Sequence, residues 1–231
     1  MVLKLSGEAL GPEHGLGLDM TRVADVARQI KNAADRDVEI AVVVGAGNLV
    51  RGRRLAEQGA NPTSADYMGM LATVMNGLAL RDCLEKLGRR AALLSAIGMG
   101  EIAEPLSPRR CGELLEQGCV VILAAGTGNP HFTTDTAAAL RARELCADII
   151  LKATNVDGVY SGDPARDPDA KLYQTVSYTE CLSRGLKVMD ATAIAMCRDS
   201  NVPVLVFNYK KPGNIERAIA GEDIGTRIGG P

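Results

Sequence analysis

An apolar run of strand length, residues 119–125, and a second strand, residues 148–152, flank a segment of helical length. A strand, a helix and a second strand in that order predict a parallel crossover unit, because parallel neighbours need a long connection. Thr133, Thr134 and Asp135 open the helix, as residue types suited to a helix start. The stretch 126–135 before it is polar and glycine-rich, and a second polar turn follows the second strand, reaching Tyr160. In open α/β sheets such loops emerge at the carboxyl ends of the strands, where ligands bind. Helix-start N–H groups, and glycines that permit close approach, favour an anion there.

The rest of the chain repeats the pattern. Residues 2–5 form a short first strand, followed by a glycine-rich segment at 6–17. Asp19 caps a helix whose apolar stripe is Val23, Ala27, Ile30 and Ala34. Residues 38–44 are a near-continuous β-branched run, as in a strand covered on both faces, and end in Gly45-Ala46-Gly47-Asn48. Thr63 or Ser64 starts a long helix carrying Met68, Leu71, Met75, Leu78 and Leu87, which Gly88 stops. Its Met-rich stripe is core or a subunit contact. Residues 91–96, 119–125, 148–152 and 203–207 supply four more strands. Ser177 and Glu180 have capping-box spacing, and Asp190 caps a helix running to about Ser200. Residues 160–169 read as a turn-rich excursion rather than an interdomain linker. The expectation is one α/β domain over 1–231, with a mostly parallel central sheet and helices on both faces.

Composition narrows the function. A net charge of −2 provides no global field for nucleic acid or an acidic membrane. Trp is absent and Phe occurs twice, so stacking platforms for single strands are missing too. No apolar run approaches the roughly 20 residues of a membrane helix, and no leader-like segment opens the chain. The cysteines at 83, 111, 119, 146, 181 and 197 lack metal-site spacing and read as buried reduced thiols. With His14 and His131 as the only histidines, a histidine zinc site is disfavoured. These features predict a cytoplasmic chain without a cysteine or histidine metal site, nucleic-acid partner or membrane.

Two common nucleotide signatures are missing. There is no G-x-x-x-x-G-K-[ST] string, and Gly45-Ala46-Gly47 is followed by Val50 where a dinucleotide fingerprint needs glycine. What remains is a set of loops after strands: Lys4-Leu5-Ser6-Gly7, the stretch from Gly45 to Arg51, the stretch from Gly126 to Asp135, and Lys152-Ala153-Thr154. Asp66 lies in the first turn of the long helix. Each has a bland reading alone, as a solvated lysine, a turn or a helix-start carboxylate. Their coincidence at strand ends of one crossover fold favours a polyphosphate site.

Several strings then carry a resemblance: LKLSGEAL at 3–10, VVVGAGNLVRG at 42–52, ADYMGMLATVMNGLALRD at 65–82, and AAGTGNPHFTTDTAAALRA at 124–142. LKATNVDGVYSGDP at 151–164, LKVMDATA at 186–193 and FNYKKPGN at 207–214 extend it over nearly the whole chain. These resemble the bacterial UMP kinases, within the amino-acid-kinase family. The resemblance implies ATP + UMP → ADP + UDP with Mg²⁺, the metal held mainly by nucleotide phosphates. It implies an acceptor lobe at about 1–147 and an ATP-binding lobe at about 148–231.

It also implies roles. Lys4, Leu5, Ser6 and Gly7 belong to the ATP site, with Gly47 and Arg51 between donor and acceptor. Thr154, Asn155, Tyr160 and Asp163 match the ATP base and ribose pocket, and Lys152 a second phosphate lysine. Ala46, Asp66, Thr127, Gly128, Asn129, Pro130, His131, Phe132, Thr133 and Thr134 match UMP-contacting positions. Lys4, Arg51, Asp135, Lys152 and Asp190 are the catalytic set, the two carboxylates organising lysine and metal. The family also implies a homohexamer built from dimers, UTP as inhibitor and GTP as activator; 12–17, Arg81 and Asp82 match positions linked to GTP.

The chain departs from the family at Ala46, where a glycine is usual and a Cβ is expected to crowd the acceptor phosphate or strain the turn. Gly98 and Gly100 replace common prolines, and the usual short N-terminal extension is expected to be absent or removed. The residues alone leave two rivals open: a kinase of this fold acting on another acceptor, and a non-enzymatic relative binding a nucleotide or oxyanion.

Overall fold

The β-branched runs become strands buried on both faces. The computed structural model describes residues 1–162, 167, 169–186, 188–222 and 224–229, with Arg53 described by its backbone alone. Among the described residues nine strands form one sheet. Its order is β4 (Glu104–Pro105), β3 (Ala91–Ser95), β5 (Val120–Ala124), β2 (Ala41–Val44), β1 (Val2–Leu5), β6 (Ile150–Thr154), β8 (Val204–Asn208), β9 (Thr226–Ile228) and β7 (Thr175–Val176). All neighbours are parallel except β8 and β9. The mostly parallel α/β expectation is borne out.

Alternation along each strand divides the core in two. Leu3, Leu5, Val42, Val44, Ile122 and Leu151 face one side, where α1 (Met20–Ala34), α3 (Pro62–Lys86) and α8 (Asn214–Ile219) cover them. Val2, Val43, Val121, Leu123, Ile150 and Val204 face the other, under α4 (Pro108–Glu116), α5 (Thr134–Glu144), α6 (Tyr178–Ser183) and α7 (Ala191–Asp199). The short α2 (Gly52–Glu57) packs on α3.

The site's location follows from topology. From β1 the chain moves to β2 on one side, and later returns to β6 on the other. That reversal opens a crevice at the carboxyl ends of β1, β2 and β6. Lys4 and Lys152 are register partners across β1 and β6. Lys4 shares the strand parity of Val2, and Lys152 that of Ile150, so both lie on the α5–α7 face.

The caps read from sequence hold. Asp19 Oδ1 accepts the Thr21 N–H at 2.9 Å, and Ser177 Oγ the Glu180 N–H at 3.1 Å. Asp190 caps α7, which runs to Asp199. Gly88, at φ +80°, follows the end of α3. Other boundaries shift. α3 starts at Pro62 rather than at Thr63 or Ser64, because Asn61 Oδ1 accepts the Ser64 N–H at 3.2 Å and proline at the first helical position has no N–H to lose. The strand expected at 148–152 is Ile150–Thr154, which brings Thr154 to its carboxyl end. The run 38–44 pairs only over Ala41–Val44. At the start of the excursion read over 160–169, Tyr160 bridges Leu172 and the Ser161 N–H donates to Lys171 O at 2.9 Å, while 163–166 and 168 lie outside the described residues. All six cysteines are free and all but Cys146 are buried. Among the described residues, no helix is long and apolar enough to cross a membrane.

Gly225 shows how tightly the late strands are joined. Its φ is +71°, and an added Cβ would lie 2.0 Å from the Val206 carbonyl oxygen on β8. Gly225→Ala is expected to destabilise the fold by about 3 kcal/mol, from backbone strain and overpacking together. A urea midpoint unchanged from wild type would contradict this.

Candidate functional site

The centre of the crevice is a buried three-charge cluster. Asp135, in the first turn of α5, lies between the two register-paired lysines. Lys152 Nζ donates to Asp135 Oδ2 at 2.6 Å, and also to the Val188 carbonyl. Lys4 Nζ is 2.9 Å from Asp135 Oδ1, as an ion pair rather than an aligned hydrogen bond. Burial opposes ionisation of Asp135, but Lys4 and Lys152 outweigh it and hold the carboxyl below the usual carboxylate range. Burial pushes Lys152 below the ordinary lysine value, with Asp135 opposing and Lys4 reinforcing. Burial also raises the Cys197 thiol to about 12, helped by Asp135 and Asp190, so it lines the cluster as a neutral group.

Two loops meet beside this cluster. An added Cβ on Gly7 would fall 2.7 Å from Gly47 N and 2.5 Å from Asn48 Oδ1, so only glycine permits the β1 loop to touch the β2 loop. The Gly45 N–H donates to Leu5 O at 2.9 Å. Leu5 itself is fully buried, so of the Lys4–Gly7 tetrad its side chain packs in the core. Ser6 Oγ caps the following 3-10 turn, Gly7–Leu10. Arg51 is exposed and pairs with Glu8, Nη2 to Oε1 at 2.6 Å. Ala46 lies outside the left-handed region, which removes the backbone-strain half of the expectation for that residue.

The loop after β5 is held at several points. Thr133 Oγ1 donates to Asp190 Oδ2 at 2.5 Å, and Thr136 Oγ1 donates to the same carboxylate at 2.9 Å. Asp190 thus joins the start of α7 to the start of α5. Asp66 Oδ2 accepts the His131 N–H at 2.8 Å. Thr73 Oγ1 accepts the Ala125 N–H at 2.7 Å, and buried Arg141 donates to Gly126 O at 3.2 Å. A cavity of about 220 Å³ between α3 and this loop is lined by Ala46, Asp66, Thr73, Thr127, Phe132 and Thr134, among others. Thr133 lines it as well, whereas Gly128, Asn129, Pro130 and His131 lie beyond the lining.

A second cavity, of about 450 Å³, has Lys152 in its wall. Thr154, Gly158, Tyr160, Arg184 and Val206 contribute to its wall. Asn155 stands exposed beyond the strand end, and Asp163 lies outside the described residues. Lys152 thus lines the larger cavity, which has an apolar portion, while the smaller one is bordered by threonines. Sequence reasoning assigned no role to Asn48, Thr73, Asn76, Thr136 or Arg141. For Thr73, Asn76, Thr136 and Arg141, polar residues inside helical segments were the available signal, whereas Asn48 lies in the β2 loop.

The charge cluster makes stability depend on pH with a definite sign. The folded-state value of Asp135 lies below its unfolded one, near 3.8. Its contribution is therefore complete above about pH 4 and is lost as pH falls through the folded value. Lys152, also lowered, acts oppositely: its charged form is penalised in the fold until pH rises through its folded value. Asp135→Asn should cost about 3 kcal/mol at neutral pH, because two buried ammonium groups lose their counter-charge. Urea midpoints measured from pH 3 to 7 should show a weaker acid dependence in the variant than in wild type. Equal acid limbs would contradict the assignment.

Residues 1–208 match the amino acid kinase family. A UMP kinase from Bacillus anthracis is 35% identical, with a TM-score of 0.94 over 99% of this chain and 94% of that one. A UMP kinase from Ureaplasma parvum is 37% identical, with a TM-score of 0.93 over 99% and 97%. A uridylate kinase from Archaeoglobus fulgidus is 33% identical, with a TM-score of 0.77 over 98% of each. Buried lysines on adjacent strands, glycine loops at the switch point and this match over most of the chain lead to one conclusion: the protein belongs to the amino acid kinase family.

Proposed function

We propose that this protein is a UMP kinase, transferring the γ-phosphoryl group of ATP to UMP to give ADP and UDP in pyrimidine nucleotide biosynthesis. The observation that carries the reading is the pair of buried lysines, Lys4 and Lys152, set side by side on β1 and β6 and sharing Asp135. The likeness to UMP kinases supplies the acceptor. Residues 1–147 serve as the acceptor lobe and 148–231 as the ATP-binding lobe of one domain.

In this reading an oxygen of the UMP phosphate attacks the γ-phosphorus as the bond to the β-phosphate oxygen breaks, and ADP leaves. Catalysis consists of positioning and neutralisation of charge on the transferring oxygens. The acceptor phosphate has a second pKa of about 6 and is mostly dianionic at neutral pH, so no general base is needed. Lys4 and Lys152 supply positive charge, and Asp135 fixes both ammonium groups. Ser6, Gly7 and Gly47 hold ATP phosphates; Arg51 exchanges Glu8 for the phosphoryl in flight.

Thr154 and Tyr160, in the larger cavity, hold the donor nucleoside, as do Asn155 and Asp163. Ala46, Asp66 and the loop Thr127, Gly128, Asn129, Pro130, His131, Phe132, Thr133 and Thr134 hold UMP. Asp190 orders that loop through Thr133. Mg²⁺, held mainly by the nucleotide phosphates, would neutralise part of their charge. The carboxylates nearest the crevice fit this arrangement, since Asp135 is engaged by two lysines and Asp190 by two threonines and the Ala193 N–H.

We place the protein in the cytoplasm, where six free cysteines match a reducing environment. A homohexamer built from dimers fits the exposed apolar stripe of Tyr67, Met68, Leu71 and Met75 on α3. UTP inhibition and GTP activation complete the proposal. Pro12, Glu13 and Gly15, in the segment linked to GTP, border a cavity shared with Arg51.

A coupled ADP-release assay with UMP, CMP and small carboxylates tests the reading. UMP-dependent release is expected. ATP binding without ADP release from UMP would refute it, and activity only with another acceptor would reassign the substrate. Ala46→Gly should lower the UMP KM severalfold with kcat unchanged, because the Ala46 side chain borders the acceptor cavity. Unchanged UMP kinetics would show that the Cβ is harmless.

A further inference from the structure

The motif VMN at the centre of α3 ends in a residue that the proposed mechanism does not use. Asn76 is fully buried in a helix whose neighbouring inward positions include Val74 and Leu80. An unpaired amide there would keep the full cost of its lost hydration, so its partners are its reason for being present. Asn76 Nδ2 donates to Gly45 O at 2.7 Å and to Asn48 Oδ1 at 2.7 Å. Asn48 Nδ2 donates back to Asn76 Oδ1 at 3.0 Å and to Gly17 O at 2.9 Å. Both hydrogens of both amides are thereby used. The orientation is determined, because a reversed Asn76 amide would set its oxygen against the Gly45 carbonyl.

The reciprocal pair joins α3, the β2 loop and the segment before α1. Gly17 N–H also donates to Asn48 O at 2.7 Å, and Asn48 Oδ1 sits where a Gly7 Cβ would meet it at 2.5 Å. Fixing the Gly45 carbonyl fixes its peptide plane, and in a trans peptide the Ala46 N–H then points away from Asn76. One helical turn earlier, Thr73 accepts the Ala125 N–H, and Asp66 accepts the His131 N–H. Positions 66, 73 and 76 lie on one side of α3, so a single rigid helix sets the spacing between the loops after β2 and β5.

We infer that Asn76 is a positioning residue for phosphoryl transfer, acting through Gly45 and Asn48 to hold the β2 loop at its working distance from the β1 and β5 loops. The inference rests on the kinase reading above. Misplacement by an ångström lowers the rate of an oriented transfer far more than it lowers binding.

The test uses the full chain, with steady-state kcat, the KM values for ATP and UMP, and thermal unfolding on each variant. Asn76→Ala is expected to lower kcat at least tenfold, with both KM values within about threefold of wild type, under conditions where the variant is folded. Asn48→Ala should show the same kcat loss, and the double variant should be little worse than either single one, as for residues acting as a unit. Where Asn76→Ala does not fold, Asn48→Ala decides by the same criterion. A folded variant with kcat within twofold of wild type, or a loss confined to thermal stability, overturns the inference. A wild type silent with UMP overturns the kinase reading as well, whereas an active wild type beside an unimpaired variant overturns this inference alone.

Discussion

Two ammonium groups and one carboxylate are buried together where β1, β6 and α5 meet, and the rest of the crevice is arranged around them. Burying any one of these charges alone would cost several kcal/mol, and their mutual attraction repays that only in good geometry. The register of β1 against β6 supplies the geometry by placing the lysines as neighbours on one face. The first turn of α5 then delivers Asp135 between them. Two positive charges and one negative leave an excess positive charge in a poorly solvated place. That is a setting in which a polyphosphate gains more than it would at an exposed lysine.

Around the cluster, the loops are fixed by their backbones. Gly7 permits contact between the β1 and β2 loops, Asn76 takes the Gly45 carbonyl, Thr73 the Ala125 N–H and Asp66 the His131 N–H. Asp190 secures the β5 loop from the opposite side through Thr133 and Thr136. α3 thus has two characters. One side carries polar groups that grip loop backbones, while Tyr67, Met68, Leu71 and Met75 are exposed. A helix required on both sides cannot show a clean single apolar stripe, which is why its pattern from sequence was ambiguous between core and contact.

Much of the fold was legible because its signals are local. The runs at 2–5 and 119–125, the caps Asp19, Ser177 and Asp190, and the stop at Gly88 each depend on a few adjacent residues. What escaped were elements too short for a period to register, such as β4 with Glu104 and Pro105, β7 with Thr175 and Val176, and β9. The last of these is held by tertiary contact, including a backbone approach that only glycine at 225 permits. The start of α3 was misjudged because Asn61 and Pro62 act together.

The sequence alone determined that strands and helices alternate, that glycine loops follow the strands, and that the residues at those loops suit phosphate chemistry. It did so because hydrophobic periodicity, capping and turn chemistry act over a few residues. Only the tertiary structure decided that Lys4, Asp135 and Lys152 form one buried cluster, that Asp190 reaches Thr133, and that Asn48 and Asn76 clasp across two elements. These contacts join residues 17 to 131 positions apart in the chain. Their energies depend on strand register, helix position and burial together, none of which a local pattern of residues contains.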